Sequence, residues 1–150
     1  MTDPRERLRV DLDLLPAVTF AAVVEYLDGV LRECQLVTVS AQQGEAPDPS
    51  LLTLANGLVP DIEEIDDAFQ ASEITTNDDG SLHLVGSLTF GQSGMLTHLH
   101  MQLVQLRLLG RRGGLLLESD PQVTQLMTWI WDELGDQLHG RAPRPYRPAT

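Results

Sequence analysis

At 150 residues and 42% hydrophobic, the chain is sized for one domain whose core needs no covalent staple. Its formal charge is −12 and every one of its ten cations is Arg; so acidic a surface repels phosphate backbones and anionic lipid, which argues against a nucleic-acid or membrane partner. No apolar run approaches the roughly 20 residues of a membrane span. The N-terminus MTDPRERLRV lacks the apolar core of a secretory signal, and the single Cys34 permits no internal disulfide, so a cytoplasmic protein is expected.

Taken in order, Leu8, Val10, Leu12 and Leu14 alternate with Arg9, Asp11 and Asp13, the period of a strand with one wet face. Asp11 and Asp13 share that wet side without a third convergent ligand in sequence, which favours a solvated face over a metal or acid/base site. Pro16 breaks the strand. A helix follows with Phe20, Val23, Val24, Leu27 and Leu31 on one face and Glu25, Asp28 and Arg32 on the other. Leu36–Ser40, LVTVS, is rich in strand formers and reads as a second strand, and AQQGEAPDP as a loop.

A further helical pattern starts at Ser50 and runs through Leu51, Leu54, Ala55 and Leu58. Pro60 should kink or restart it, after which Ile62, Ile65 and Phe69 carry the apolar stripe on. The acids Asp61, Glu63, Glu64, Asp66 and Asp67 lack the spacing and glycine pivot of a calcium loop, so a solvated helix face is expected. Glu73–Asn77 is a short strand, and Asn77-Asp78-Asp79-Gly80 a turn that folds it against Leu82–Phe90. In that second strand Leu82, Leu84, Leu88 and Phe90 share one face, opposite His83, Ser87 and Thr89.

After Gly91-Gln92-Ser93-Gly94 the period changes to that of a helix, with Leu96, Leu99, Leu103 and Leu106 as its stripe and Met101, Val104 and Leu108 widening it. Ser93 stands where an N-cap is expected, and the glycines and arginines from Gly110 to Gly114 should end the helix. Leu115–Leu117 suits a short interior strand. Asp120 and Pro121 then open a last helix, as N-cap and first-turn proline, whose buried side carries Val123, Met127, Ile130, Leu134 and Leu138. Trp131 follows that stripe while Trp129 lies off it, as a boundary core residue or as an anchor for a partner. The tail, GRAPRPYRPAT, should be extended and mobile.

The halves echo one another. Val18-Thr19-Phe20 corresponds to Leu88-Thr89-Phe90, and Asp48-Pro49 to Asp120-Pro121, which yields either two β-α-β-α half-repeats, 8–70 and 73–139, or a chance match of short motifs. The fold expected is an α/β domain over residues 1–140, a small mixed sheet flanked by helices with parallel pairing through helical crossovers, and a tail at 141–150.

No catalytic constellation emerges. GQSG misplaces the second glycine of a nucleophile elbow. His98 and His100, two apart on a helix, point in roughly opposite directions and do not share a metal; His83 faces outward on a strand, and His139 lies near the tail. Gly110, Gly113 and Gly114 follow a helix instead of opening one, unlike a phosphate-cradling loop. Neither cofactor nor metal is expected.

Residues Leu88-Thr89-Phe90, Gly91-Gln92, Ser93-Gly94 and Met95-Leu96, followed by Leu115–Leu117 and Pro121-Gln122-Val123, stand in an order that resembles the STAS domain of bacterial anti-sigma-factor antagonists. That family shows an apolar strand, a T-F-x-D-S-S-G-L phrase opening a helix, a short aliphatic strand and a final helix. NDDGSLHLVGSLTF resembles its opening hairpin. Gln92 replaces the family's acidic residue, and the loop is one residue shorter. The likeness implies that Ser93 is the position a partner kinase phosphorylates, where two negative charges would be held by a helix start and would repel an acidic partner surface.

The function expected is therefore regulatory and non-enzymatic. The partner would be an anti-sigma factor or kinase-like regulator, bound along Ser93 and the helix Met95–Leu109 through Gln92, Gly94, His98 and Gln102, with Trp129 as a further contact and a homodimer compatible with either. A small-ligand sensor or a dimeric chaperone-like adaptor is the alternative.

Overall fold

A computed structural model describes residues 3, 5–44, 48–113 and 120–148, the side chains of 110–113 excepted. The elements are β1 (Arg7–Leu15), α1 (Ala17–Gln42), α2 (Pro49–Gln70), β2 (Glu73–Thr76), β3 (Leu82–Thr89), α3 (Ser93–Gly113) and α4 (Pro121–Leu138), with one 3-10 turn at Phe90–Gln92 between β3 and α3.

The chain is an α/β protein with helices flanking a three-stranded sheet of order β1-β3-β2. Every pair is antiparallel, with Leu12 opposite Leu84, Leu8 opposite Leu88 and Ile74 opposite Leu84. The expected hairpin is present, Gly80 taking a φ of 87° in its turn, which costs a glycine nothing. Parallel pairing is absent among the described strands. Leu36–Ser40 lies inside α1, and Leu115–Leu117 falls outside the described residues.

Why LVTVS is helical follows from the stripe beneath it. Phe20, Val23, Leu27, Val30 and Cys34 are all buried at helical spacing, and Val37 packs on the same core. Burial of that continuous stripe outweighs a local strand propensity worth a few tenths of a kcal/mol per residue. Leu36 and Val39 are left exposed as a result. The first half thus runs strand, helix, helix, and Val18-Thr19-Phe20 sits within α1 whereas Leu88-Thr89 ends β3.

At the end of β1 the alternation slips. Leu14 has φ 57° and the register shifts between Leu12 and Leu15, so Leu15 takes the buried place and Leu14 is turned outward. A bulge of this kind swaps the facing of every later side chain. Gly86, opposite Val10, explains the missing side chain in β3: a Cβ there would stand 3.1 Å from that of Ser72.

The helices close a ring, α1 on α2, α2 on α3, α3 on α4 and α4 on α1, and the inner sheet face rests on α4 and α2. Val10, Leu12, Leu84 and Leu88 of the sheet join Ile62, Ile65, Leu99, Leu106, Leu126, Ile130 and Leu134 of the helices in one core. α2 runs unbroken through Pro60. Its lost backbone bond, a cost of about 3 kcal/mol in a free helix, is offset by burial of Leu54, Ala55 and Leu58 before it and Ile62, Ile65 and Phe69 after. Asp48 and Asp120 cap α2 and α4 in the same way, each accepting from the N–H two residues on, at 2.8 Å and 2.9 Å, with proline next.

Candidate functional site

Ser93 is not an N-cap. It already has helical angles, φ −60° and ψ −37°, as the first residue of α3. The capping box lies one turn earlier: the Thr89 hydroxyl accepts from the backbone of Gln92, while Gln92 Oε1 accepts from the Thr89 N–H at 2.8 Å. A threonine at the strand's last position and a glutamine three residues on satisfy two donors that the turn would leave bare. Ser93 is half-buried, at the surface of the corner and outside the core.

Around it, residues expected to face a partner face α2. Gln92 Nε2 donates to Glu64 at 2.7 Å, and His98 Nδ1 meets an Asp61 carboxylate oxygen at 3.0 Å. Gln102 is 7% exposed, its Oε1 buried without a hydrogen-bond partner, and its amide nitrogen lies where Gly57 leaves room, 2.4 Å from the place a Cβ would occupy. Only Gly94 is fully open to solvent without such a tie.

Sequence periodicity also put Met101, Val104 and Leu108 in the buried stripe. They are instead 56%, 44% and 61% exposed, while Leu96, Leu99, Gln102, Leu103 and Leu106 fill the inner face. Three large apolar side chains at spacings of three and four therefore line one outer side of α3. Beside them a groove of about 850 Å³ runs between α3 and the start of α2, with Pro49, Thr53 and Leu54 on one wall and His98, Met101, Gln105 and Leu108 on the other. α3 carries none of the chain's 22 carboxylates, and it alone among the described helices lacks them.

The outer face of the sheet brings together a pair that sequence reasoning kept apart. His83 Nε2 lies 2.5 Å from Asp11 Oδ1, and Arg9 reaches the other oxygen at 3.4 Å. Asp13 accepts from Asn77 Nδ2 at 3.0 Å and from the Leu14 N–H at 2.8 Å. Cross-strand placement, invisible until the register is known, makes these neighbours. Among the described residues no three His, Cys, Asp or Glu side chains converge as a metal site would require.

Trp129 is half-buried, packed on the core, and its ring meets Tyr146 edge-on with centroids 5.0 Å apart. The tail that covers it is therefore not a free strand: Tyr146 is 6% exposed and its N–H donates to Asp13 O at 3.0 Å. Proline content suggested an extended segment and did not reveal that one aromatic within it has a seat.

No family model matches the chain. No match was found among curated proteins or solved structures either. No helix among the described residues is long and apolar enough to cross a membrane.

Proposed function

We propose that the protein is a non-enzymatic regulatory module that binds a protein partner along α3. The observation that carries this is the exposed row Met101, Val104 and Leu108 beside an open groove. Contiguous large apolar side chains on a solvent face are costly to leave wet and mark contact surfaces. Electrostatics supports the same face, since a helix without carboxylates adds nothing to the repulsion of an acidic partner by a chain of charge −12. By its resemblance to STAS domains the partner is an anti-sigma factor or a kinase-like regulator, and Ser93, at the surface where α3 begins, is the position a phosphate would switch.

A photo-crosslinking residue at Val104 in the native cell tests the reading. One dominant protein adduct is expected, lost in Met101→Glu/Leu108→Glu with circular dichroism unchanged. A crosslink pattern indifferent to that double change would refute the α3 face. Intact mass after incubation with native-host lysate tests the switch: a gain of one phosphate, absent in Ser93→Ala, is expected.

The groove itself supports a second reading, a small-ligand sensor. Its volume lies within the range of small-molecule sites, and the buried Gln102 carbonyl on its lining lacks a hydrogen-bond partner. Native mass spectrometry of freshly purified protein separates the readings, because a sensor carries a bound small molecule that Gln102→Leu removes.

A further inference from the structure

Beyond α4 the chain turns at Gly140, φ 90°, and doubles back along α4 and β1. Contacts of Arg144 and Tyr146 hold it. The backbone N–H of Arg144 donates to Glu133 Oε2 at 3.1 Å and its Nε to Oε1 at 3.4 Å, while its other nitrogen reaches Asp136 at 2.9 Å. Tyr146 rests edge-on against Trp129, and its N–H donates to Asp13 O.

The seat is more elaborate than a tail needs. Glu133 is 1% exposed, yet the cation against it belongs to a side chain that is 68% exposed on an extended segment instead of a core element. A buried carboxylate is held at substantial cost unless paired. Gln137 fixes it from the same helix, donating to Glu133 at 2.7 Å and to Asp11 O at 2.7 Å while accepting from Asp11 N–H at 2.8 Å. The Leu14 bulge, in a conformation that strains a leucine, stands next to the Asp13 carbonyl that meets Tyr146. Alongside Tyr146 the depression continues as a cavity of about 480 Å³ between Pro16, Thr19, Gln122 and Gln125. A buried carboxylate for a guanidinium, an aromatic ring for an aromatic, and an edge-strand carbonyl for a backbone N–H are the components by which folded domains grip extended peptides.

The geometry points to the groove between α4 and β1 as a docking seat for an extended Arg-x-aromatic segment of a partner protein, with Arg144-Pro145-Tyr146 as its occupant in the same chain, a strap that the partner displaces. A tethered occupant acts at an effective concentration of about millimolar. A partner segment must therefore bind more tightly than this tail does.

The test uses the full chain, with Arg144→Ala/Tyr146→Ala to empty the seat, and a fluorescein-labelled peptide of sequence GRAPRPYRPAT as the probe. The emptied chain is expected to bind the peptide about tenfold or more tightly than wild type, in which the strap competes, and to gain thermal stability from it where wild type gains none. Peptides with Glu in place of the arginine before Pro-Tyr, or Ala in place of the tyrosine, should not bind. Should the double variant fold poorly, Tyr146→Ala alone serves, with the red shift of Trp129 emission reporting release. Equal affinity for wild type and emptied chain, or no binding to a folded chain whose tryptophan has become exposed, would overturn the proposal. So would a wild-type dimer that grows with concentration and is abolished by Tyr146→Ala, since the seat would then serve tail exchange between copies.

Discussion

Cys34 illustrates how far one position in a stripe constrains chemistry. It lies 2% exposed between Val30 and Val37 on the inner side of α1, and burial, with Glu33 adding a like charge, pushes its thiol up to about 11. Only the thiolate is nucleophilic. At pH 8 the folded protein should therefore react with iodoacetamide about two orders of magnitude more slowly than the unfolded chain, whose thiol titrates near 8.5; comparable rates with and without urea would show that Cys34 is accessible. The raised value also means that this group favours the fold below the thiol's ordinary range and ceases to do so as pH climbs through about 11.

Asp13 works in the opposite sense. The Asn77 amide is the main cause of its lowered pKa, outweighing partial desolvation, with the Leu14 N–H adding to the effect. A carboxyl depressed in the folded state stabilises it above the ordinary value of 3.8 and loses that contribution as pH falls through the lower folded value. Asn77→Ala should move the Asp13 midpoint upward in a carboxyl NMR titration, and an unmoved midpoint would show that the hydrogen bond is not its cause. Of these residue details the sequence displayed some and hid others. Asp48-Pro49 and Asp120-Pro121 were readable because a cap and its helix are adjacent in sequence. Thr89 with Gln92 carried the spacing of a capping box and was hidden by the more conspicuous Ser93. The His83–Asp11 contact, 72 residues apart in sequence, requires the register of β1 against β3.

At the scale of elements, α1 and α2 pack together with carboxylates on both. Asp28 of α1 and Asp67 of α2 help burial to raise the pKa of Asp66. A raised carboxyl pays its repulsion at neutral pH and is relieved as pH falls through its folded value. Asp28→Asn should stabilise the protein by about 0.3 kcal/mol at pH 7 in low salt, about 1 °C in Tm; calorimetry should find the gain vanishing near 1 M salt and in acid. Helix and strand were distinguishable wherever length settled the period, as in α4 and in the β2-β3 hairpin. LVTVS failed because five residues carry a propensity and no period, whereas the series Val23, Leu27, Val30, Cys34 and Val37 crosses that window and becomes visible only over three turns. The face of α3 failed for a different reason. Leu-rich helices offer two candidate stripes, and only the neighbours decide that Leu103 and Leu106 turn inward while Val104 and Leu108 remain wet.

For the whole molecule, an α/β layer with flanking helices was recoverable from the order of elements, but the ring of four helices was not, because it depends on which side of a small sheet each helix crosses. Gln92, His98 and Gln102 line the seam with α2, and Trp129 lies under the strap. Polar residues near a conspicuous loop are as useful for joining two helices as for recognising a stranger, and composition alone does not separate those uses.

The two sides of the sheet are finished differently. Along β1, the Gln137 amide occupies the main-chain donor and acceptor of Asp11, and Tyr146 occupies the carbonyl of Asp13, so a side chain and a strap stand where another strand would lie. β2 is four residues long, exposed throughout, and has β3 on one side only. Growth of this sheet by strand addition, with the strap closed, can therefore proceed in one direction alone. Two molecules meeting through their β2 margins would exhaust both, leaving no free end for a third, so self-association by that route stops at a pair and does not continue into a fibre.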